Sequence, residues 1–242
     1  MTWLLITAAG LLAGTVAGVV GFGGTTIMMP VLVLSFGAKA AVPIMAIASI
    51  LGNLARVAVW WRVIAWRAVL AYAVAAIPAA WLGARTMLAL DADLLELTIG
   101  AFFVAMVPLR RLLASRGLSV PLAGLAAAGA VIGFLTGIVA NTGPINTPFF
   151  LAHGLIKGPF IGTEAMSSLA MFGSKSLAFW SYGVLTSETA LVGGIVGSTL
   201  MAGAWIGKRV VDSLSAERFG FLMDALLLAA GAAMIAGALS RW

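Results

Sequence analysis

The sequence predicts an all-α polytopic membrane protein of two homologous, inverted repeats. Each repeat has about five helical segments, one of them a short helix broken by Gly and Pro. Composition is the first reason: of 242 residues, 62% are hydrophobic and 9% charged, with a mean hydropathy of +1.13. A soluble domain could not cover that much apolar surface. The second is a repetition, since Gly14–Pro30 and Gly133–Phe150 interrupt apolar runs with Gly, Pro, Thr or Asn at matching places 119 residues apart.

Ten apolar runs, five in each half, are the predicted helices. They cover residues 3–20, 24–36, 41–61, 67–89, 94–113, 120–139, 144–156, 161–182, 188–206 and 216–239. At about 20 residues per crossing they leave no room for a separate soluble domain. The most polar segment, Arg110–Ser119, separates the halves, so the predicted repeats are residues 1–116 and 117–242. The first run begins without the Lys or Arg of a signal peptide, and we interpret it as the first helix.

The two halves also agree residue by residue. The ordered matches are Ser49 with Ser168, Arg56 with Lys175 and, after a small slip, Trp81–Arg85 (WLGAR) with Trp205–Arg209 (WIGKR). Chance is a poor explanation for matches that keep their order, so they indicate an internal duplication.

The short runs 24–36 and 144–156 decide the topology. If they do not cross, eight helices result and the basic residues divide about evenly between the two sides. If they cross, each half has five crossings, the halves are inverted, and most basic residues share one side, as the positive-inside rule favours. The residues on that side are then Arg62, Arg67, Arg110, Arg111, Arg116, Lys157, Lys208 and Arg209. The opposite side carries Lys39, Arg85 and Arg241. We favour five plus five with both termini outside. Re-entrant hairpins are the alternative, because thirteen helical residues rise only about 20 Å against a core of about 30 Å.

The interrupted segments are the predicted substrate site. Broken helices are tolerated at membrane depth where the chain is buried or lines a cavity, and a pair of them indicates a transporter's binding site. A helix that restarts after each break offers a positive N-terminus to an anion. The candidates are Gly23, Gly24, Thr25 and Thr26 in the first half and Asn141, Thr142, Gly143, Asn146 and Thr147 in the second. The alternative is that the glycines only allow close helix packing and the prolines only kink.

Polar stripes extend the candidate site along two longer helices. Helical spacing sets Ser49, Asn53 and Arg56 on one face, with Glu164, Ser168 and Lys175 on the corresponding face of the other helix. Ionisable residues inside spanning segments are functional candidates. The alternative for Arg56 and Lys175 is snorkelling to the interface. Glu164 is expected to pair with a cation, to carry a coupling proton, or to serve only as a helix-start charge.

Several classes of function are disfavoured by what the sequence contains. There is no Cys, and a single histidine, His153, excludes a multi-His metal site. We expect His153 to be a satisfied polar residue at the end of its run, and Asp91, Asp93 and Glu96 to be solvated charges at a turn. No HExxH motif is present, so neither an enzyme nor a cofactor is predicted. The net charge of +6 comes from scattered basic residues that suit membrane anchoring, and no nucleic-acid partner is predicted.

At its two broken segments the chain resembles the sulfite exporter TauE/SafE family of bacterial membrane proteins, whose halves each carry a Gly-rich break followed by a proline. The motifs are GFGGTTIMMP (Gly21–Pro30) and GIVANTGPINTPFFL (Gly137–Leu151). The chain departs from the family pattern at Thr25, Ala140 and Thr142, where glycines are typical. The resemblance implies a secondary transporter of small anions such as sulfite, sulfonates or related organic acids, in the bacterial inner membrane.

The residues by themselves support a two-repeat permease with an anion-friendly centre. The preferred mechanism is alternating access around the two broken segments, and the alternatives are a passive anion channel and a structural membrane subunit. The expected partners are a small anion, the lipid bilayer and a coupling ion, either a proton or sodium. Small residues at Gly193, Gly194 and Gly197 could pack helices within one protomer or between two protomers of a homodimer.

Overall fold

The computed structural model describes residues 2–20, 24–115, 119–139 and 142–210, together with 228, 229, 232, 235, 236 and 239. This part of the chain is helical and contains no strand. Its helices are α1 (Thr2–Val20), α2 (Gly24–Phe36), α3 (Ala38–Trp60), α4 (Trp66–Ala89), α5 (Ala92–Ser115), α6 (Leu122–Val139), α7 (Gly143–Ala152), α8 (Lys157–Ser181) and α9 (Ser187–Val210). A short 3-10 turn, Trp61–Val63, follows α3.

Nine of the ten predicted apolar runs correspond to these helices, and α2 has the predicted bounds. The seventh run is shorter than predicted, because α7 ends at Ala152 and not at residue 156. Gly154 there has φ +88°, a left-handed conformation that suits glycine, and its N–H bonds to the Leu151 carbonyl. The tenth run, 216–239, lies almost entirely outside the described residues.

Five of the described helical segments are long and apolar enough to cross a membrane: Ala38–Val63, Trp66–Ala89, Ala92–Leu109, Leu122–Val139 and Ser187–Ile206. Two others, Trp3–Gly18 and Gly24–Phe36, are apolar but shorter. Large apolar side chains also cover the outer surface, where Leu34 is 86% exposed, Leu4 80% and Val74 74%. Such a surface suits lipid and not water.

Two helix pairs approach each other closely enough for backbone to touch backbone. In the pair α1 and α9, a Cβ added at Gly14 would lie 2.2 Å from the carbonyl oxygen of Leu200. In the pair α4 and α6, a Cβ added at Gly133 would lie 2.6 Å from the carbonyl oxygen of Ala76. Only glycine fits such contacts. Close approach stabilises membrane helices through dispersion, because the hydrophobic effect does not drive helices together in lipid. Close helix packing, the alternative role considered for the glycines, therefore applies to Gly14 and Gly133, which precede the two broken segments.

The small residues of α9 divide between two environments. Gly193 and Gly197 face α3, where an added Cβ would lie 2.8 Å from the Ile44 carbonyl oxygen and 2.7 Å from a Leu51 methyl carbon, so both pack within the protomer. No described atom lies within 4 Å of a Cβ added at Gly194.

The acidic turn before α5 is only partly solvated. Asp91 is exposed and its carboxylate accepts a hydrogen bond from the Leu94 N–H at 2.7 Å, as expected at a helix start. The prediction is wrong for Glu96, which is 7% exposed. Nearness in sequence does not give Glu96 the same environment as Asp91 and Asp93. It lies about one helical turn further along α5 and faces the protein.

Two glycines of α9 provide a matched test of the backbone contacts. A Cβ at Gly203 would lie 2.3 Å from the Leu11 carbonyl oxygen, and backbone cannot move aside cheaply. We expect Gly203→Ala to lower the free energy of unfolding by about 1–3 kcal/mol, the usual range for overpacking. Gly194→Ala, on the same helix but with open space, should be neutral or stabilising. Melting temperatures of the two purified variants in one detergent test this, and equal values would contradict it.

Candidate functional site

A cavity of about 50 Å³ lies where both broken segments meet the long helices. That volume exceeds the roughly 10–15 Å³ that one water molecule needs. α2 begins at Gly24 and α7 at Gly143, and both residues line the cavity. The full lining is Ala17, Gly24, Thr25, Met45, Ser49, Gly52, Asn53, Arg56, Gly143, Glu164, Ser168, Phe172, Leu200 and Ala204.

An ion pair between α3 and α8 dominates the cavity wall. Arg56 Nη1 donates to Glu164 Oε2 at 2.9 Å, and the two side chains are only 11% and 3% exposed. The other carboxylate oxygen, Oε1, accepts a hydrogen bond of 2.8 Å from the Ser168 hydroxyl. Of the three roles weighed for Glu164, pairing with a cation is the one that the structure contains.

Arg56 is also held from its own helix. Its Nη2 donates to Asn53 Oδ1, and Asn53 Nδ2 donates to the Ser49 carbonyl oxygen at 2.8 Å. These bonds follow the i, i+4, i+7 stripe, because residues at this spacing lie one above another on a helix. The guanidinium is therefore oriented by α3 and neutralised by α8, and its burial rules out snorkelling.

Two buried hydroxyls near the break have no hydrogen-bond partner among the described residues: Ser49 Oγ and Thr26 Oγ1. Ser49 lines the cavity, whereas Thr26 does not. Buried polar atoms in native proteins nearly always have partners, so an unpaired hydroxyl at a cavity wall has a spare donor for a ligand.

A second buried polar cluster surrounds Lys175, which does not line the cavity. Lys175 is 0% exposed, and its Nζ donates to the Thr136 carbonyl oxygen at 2.6 Å. The hydroxyls of Thr136 and Thr142 are hydrogen-bonded to each other. Nearby, the Tyr72 hydroxyl donates to Asn146 Oδ1 at 2.6 Å. The burial of Lys175 is inconsistent with snorkelling here too.

The structure thus divides the predicted site residues into three groups. Those that line the cavity are Gly24, Thr25, Ser49, Asn53, Arg56, Gly143, Glu164 and Ser168. Those outside its lining are Thr26, Thr142, Asn146, Thr147 and Lys175, with the Thr147 hydroxyl bonded to the Gly143 carbonyl oxygen. Gly23 and Asn141 lie outside the described residues.

Sequence reasoning missed two kinds of residue. The apolar lining residues Met45, Phe172, Leu200 and Ala204 resemble any other core residue, so no signal could have singled them out. Tyr72 could have been found, because it is one of only two tyrosines and interrupts an apolar run. His153 behaves as predicted, since its Nδ1 bonds to the Val120 carbonyl oxygen at 2.8 Å at the end of α7.

Helix ends also contribute charge at the cavity. The charges of Arg56 and Glu164 cancel, and the N-termini of α2 and α7 each contribute about half a positive charge at Gly24 and Gly143. Within the described residues, no group of three His, Cys, Asp or Glu side chains could hold a metal ion.

Comparison with known proteins gives one match. The family model described as "Sulfite exporter TauE/SafE" matches residues 6–234, nearly the whole chain. No curated protein and no solved structure matches the chain.

The ion pair makes a prediction about stability. Arg56→Met leaves the Glu164 carboxylate buried without its partner, and removing one member of a buried pair costs about 3–5 kcal/mol. The double variant Arg56→Met/Glu164→Gln removes both charges and should lose less stability than Arg56→Met alone. Arg85→Met, at an exposed arginine, is the control and should change little. Melting temperatures of the wild type, these three variants and Glu164→Gln alone measure this, and losses at Arg56 and Glu164 that simply add in the double variant would contradict the pairing.

Proposed function

We infer the function from the family to which the chain belongs, the sulfite exporter TauE/SafE family, which consists of membrane transporters and not of enzymes. On that basis we propose that it carries a small anion, of the sulfite, sulfonate or related organic acid class, across the bacterial inner membrane. In this proposal the anion binds in the cavity at Arg56, and the protein works by alternating access around it.

One observation carries the proposal: the N-termini of both short helices open onto the same small cavity. Gly24 of α2 and Gly143 of α7 come from different halves of the chain, yet both line it. Helix N-termini are ready-made anion sites, and here two of them line one cavity beside Arg56.

The bound anion would compete with Glu164 for the guanidinium. Arg56 offers planar N–H donors that suit oxyanions, and the spare Ser49 hydroxyl supplies another donor. Because Glu164 already accepts from Arg56 and Ser168, it acts as an internal substitute for the substrate when the cavity holds none. Exchange of Glu164 for the anion is then the event that links binding to a movement of α8 against α3.

Helix packing supports the proposed inverted repeats, residues 1–116 and 117–242. The contact of Gly14 with Leu200 has a counterpart in the contact of Gly133 with Ala76. Gly133 follows Gly14 by 119 residues, and Leu200 follows Ala76 by 124, the offset of the WLGAR and WIGKR matches. The second glycines of each helix repeat the relation: Cβ atoms added at Gly18 and Gly137 would both lie 2.6 Å from carbonyl oxygens, those of Ala204 and Ala80. Equivalent helices thus make equivalent contacts, as a pseudo-twofold requires.

A coupled cycle also needs an ion, which we propose to be a proton or sodium. Of the buried ionisable side chains that the structure describes, Glu164 lines the cavity and Lys175 lies beyond it, and either could carry a proton. A homodimer is also part of the proposal, with the exposed apolar side chains Leu191 and Ile195 of α9 as a contact between protomers.

The binding site is tested by a thermal-shift screen with sulfite, sulfate, taurine and sulfoacetate. An anion that binds only the folded protein stabilises it by about 2.7 kcal/mol at one hundred times its Kd. We expect a shift with at least one of these anions and none with Arg56→Met. No shift with any of them in the wild type would contradict the proposal and favour a structural role.

Ser49 and Ser176 form a matched pair for the same screen. Both hydroxyls are buried and unpaired among the described residues, but only Ser49 lines the cavity. Ser49→Ala should weaken anion binding roughly tenfold to hundredfold, since a hydrogen bond to a charged group is worth about 1.5–3 kcal/mol. Ser176→Ala should leave the affinity unchanged. Equal effects of the two changes would contradict the assignment of the cavity.

A further inference from the structure

Lys175 occupies a place where transporters often hold a coupling cation. Its Nζ donates to the carbonyl oxygen of Thr136, which lies in the last described turn of α6. The C-terminal end of a helix carries partial negative charge, and in transporters with broken helices such ends coordinate sodium or a proton. In this protein the side-chain amine of Lys175 lies at the C-terminal end of α6.

No acidic side chain that the structure describes pairs with this amine. Besides its hydrogen bond to Thr136, Nζ lies 5.5 Å from the centroid of the Phe179 ring. The titratable and charged side chains described on the elements packed against α8, and on α8 itself, are Lys39, Arg56, Arg62, Arg67, Tyr72, Arg85, His153 and Glu164. None of them forms an ion pair or hydrogen bond with Nζ. A fully buried ammonium without a carboxylate is costly, whereas the neutral amine is not, so two charge states are open to Lys175.

Glu164, the buried acid at the cavity, has different surroundings. One carboxylate oxygen accepts from Arg56 and the other from Ser168. The guanidinium keeps its charge in proteins, so Glu164 has a permanent counter-charge. Among the described residues, Lys175 has no such partner.

A chain of contacts connects Lys175 with the cavity. Thr136, which accepts from the amine, is hydrogen-bonded through its hydroxyl to Thr142. Thr142 precedes Gly143, the first residue of α7 and a lining residue. Lys175 also lies seven residues after Ser168 on α8, roughly 10 Å along the helix. Lys175 is therefore connected with the start of α7 through hydrogen bonds and with the wall that holds Glu164 through its own helix.

We propose that Lys175 carries the coupling proton of the transport cycle, its amine taking the place of a sodium ion, so that protons and not sodium drive the anion. This inference rests on the proposed function. In one access state the Nζ lone pair binds a proton from water, forming an N–H bond and an ammonium. In the other state that bond breaks and the proton passes to water on the opposite side. The ammonium adds positive charge that favours the anion, and the anion favours the ammonium in return.

The test uses purified full-length protein in liposomes, with sulfite as the probe. The wild type should accumulate sulfite when a pH gradient is imposed and should not respond to a sodium gradient. Lys175→Met should lose accumulation driven by the pH gradient, yet retain sulfite exchange at equal pH and the sulfite-induced thermal shift. Lys39→Met removes an exposed lysine and should remain coupled. Sulfite's own acid–base chemistry is common to all variants and to empty liposomes, so differences between variants report the protein.

Each outcome bears on the inference. Sodium-driven accumulation by the wild type, or accumulation by Lys175→Met under a pH gradient, would overturn it and leave the proposed function standing. If Glu164→Gln lost coupling while Lys175→Met kept it, the coupling proton would be assigned to Glu164 and not to Lys175. Absence of exchange and of a thermal shift in the wild type with sulfite, sulfate, taurine and sulfoacetate alike would overturn both proposals. Lys175→Gln keeps a donor for the Thr136 carbonyl and replaces Lys175→Met if that variant does not fold.

Discussion

The ion pair of Arg56 and Glu164 is the interaction on which the arrangement at the centre of this protein depends. A guanidinium surrounded by apolar helices must have a counter-charge, and the one it has comes from a residue 108 positions away. The pair therefore joins α3 to α8 and so joins the two halves of the chain. It also fixes where a cavity can exist, because both helix N-termini at Gly24 and Gly143 open beside it. The guanidinium that lines this space is therefore oriented by contacts within the protein.

The two buried cations have opposite surroundings although they lie at matching positions of the sequence. Arg56 has a carboxylate, an amide and an oriented guanidinium fork, whereas Lys175 has one carbonyl oxygen and an aromatic ring. The choice of side chain fits each environment. Arginine keeps its charge and binds planar oxyanions, while lysine is the cation whose charge can be removed by burial. Two positions that match in the sequence thus carry different cations in different surroundings.

Much of the helix arrangement and of the candidate site could be predicted from the sequence. Membrane helices are long apolar runs, and only a few residue types interrupt them. The bounds of α2, the polar stripe of Ser49, Asn53 and Arg56, and the meeting of both breaks at one place follow from periodicity and repetition. The neighbours across helices do not. Spacing along α8 gives Ser168 and Lys175 a common face, but it cannot say that α6 stands opposite Lys175 while α3 stands opposite Glu164. Nor can it distinguish Met45 or Phe172 from any core residue, since apolar lining carries no compositional signal.

The close backbone contact between α1 and α9 has a consequence for how the protein is made. Gly14 enters the membrane 186 residues before Leu200, the residue against which its backbone packs. During synthesis α1 therefore stays in the bilayer without this partner until the segment around Leu200 has been translated. Its glycine face must meanwhile be covered by lipid or by the insertion machinery. A ribosome that stops before α9 leaves α1 without the helix against which its backbone packs.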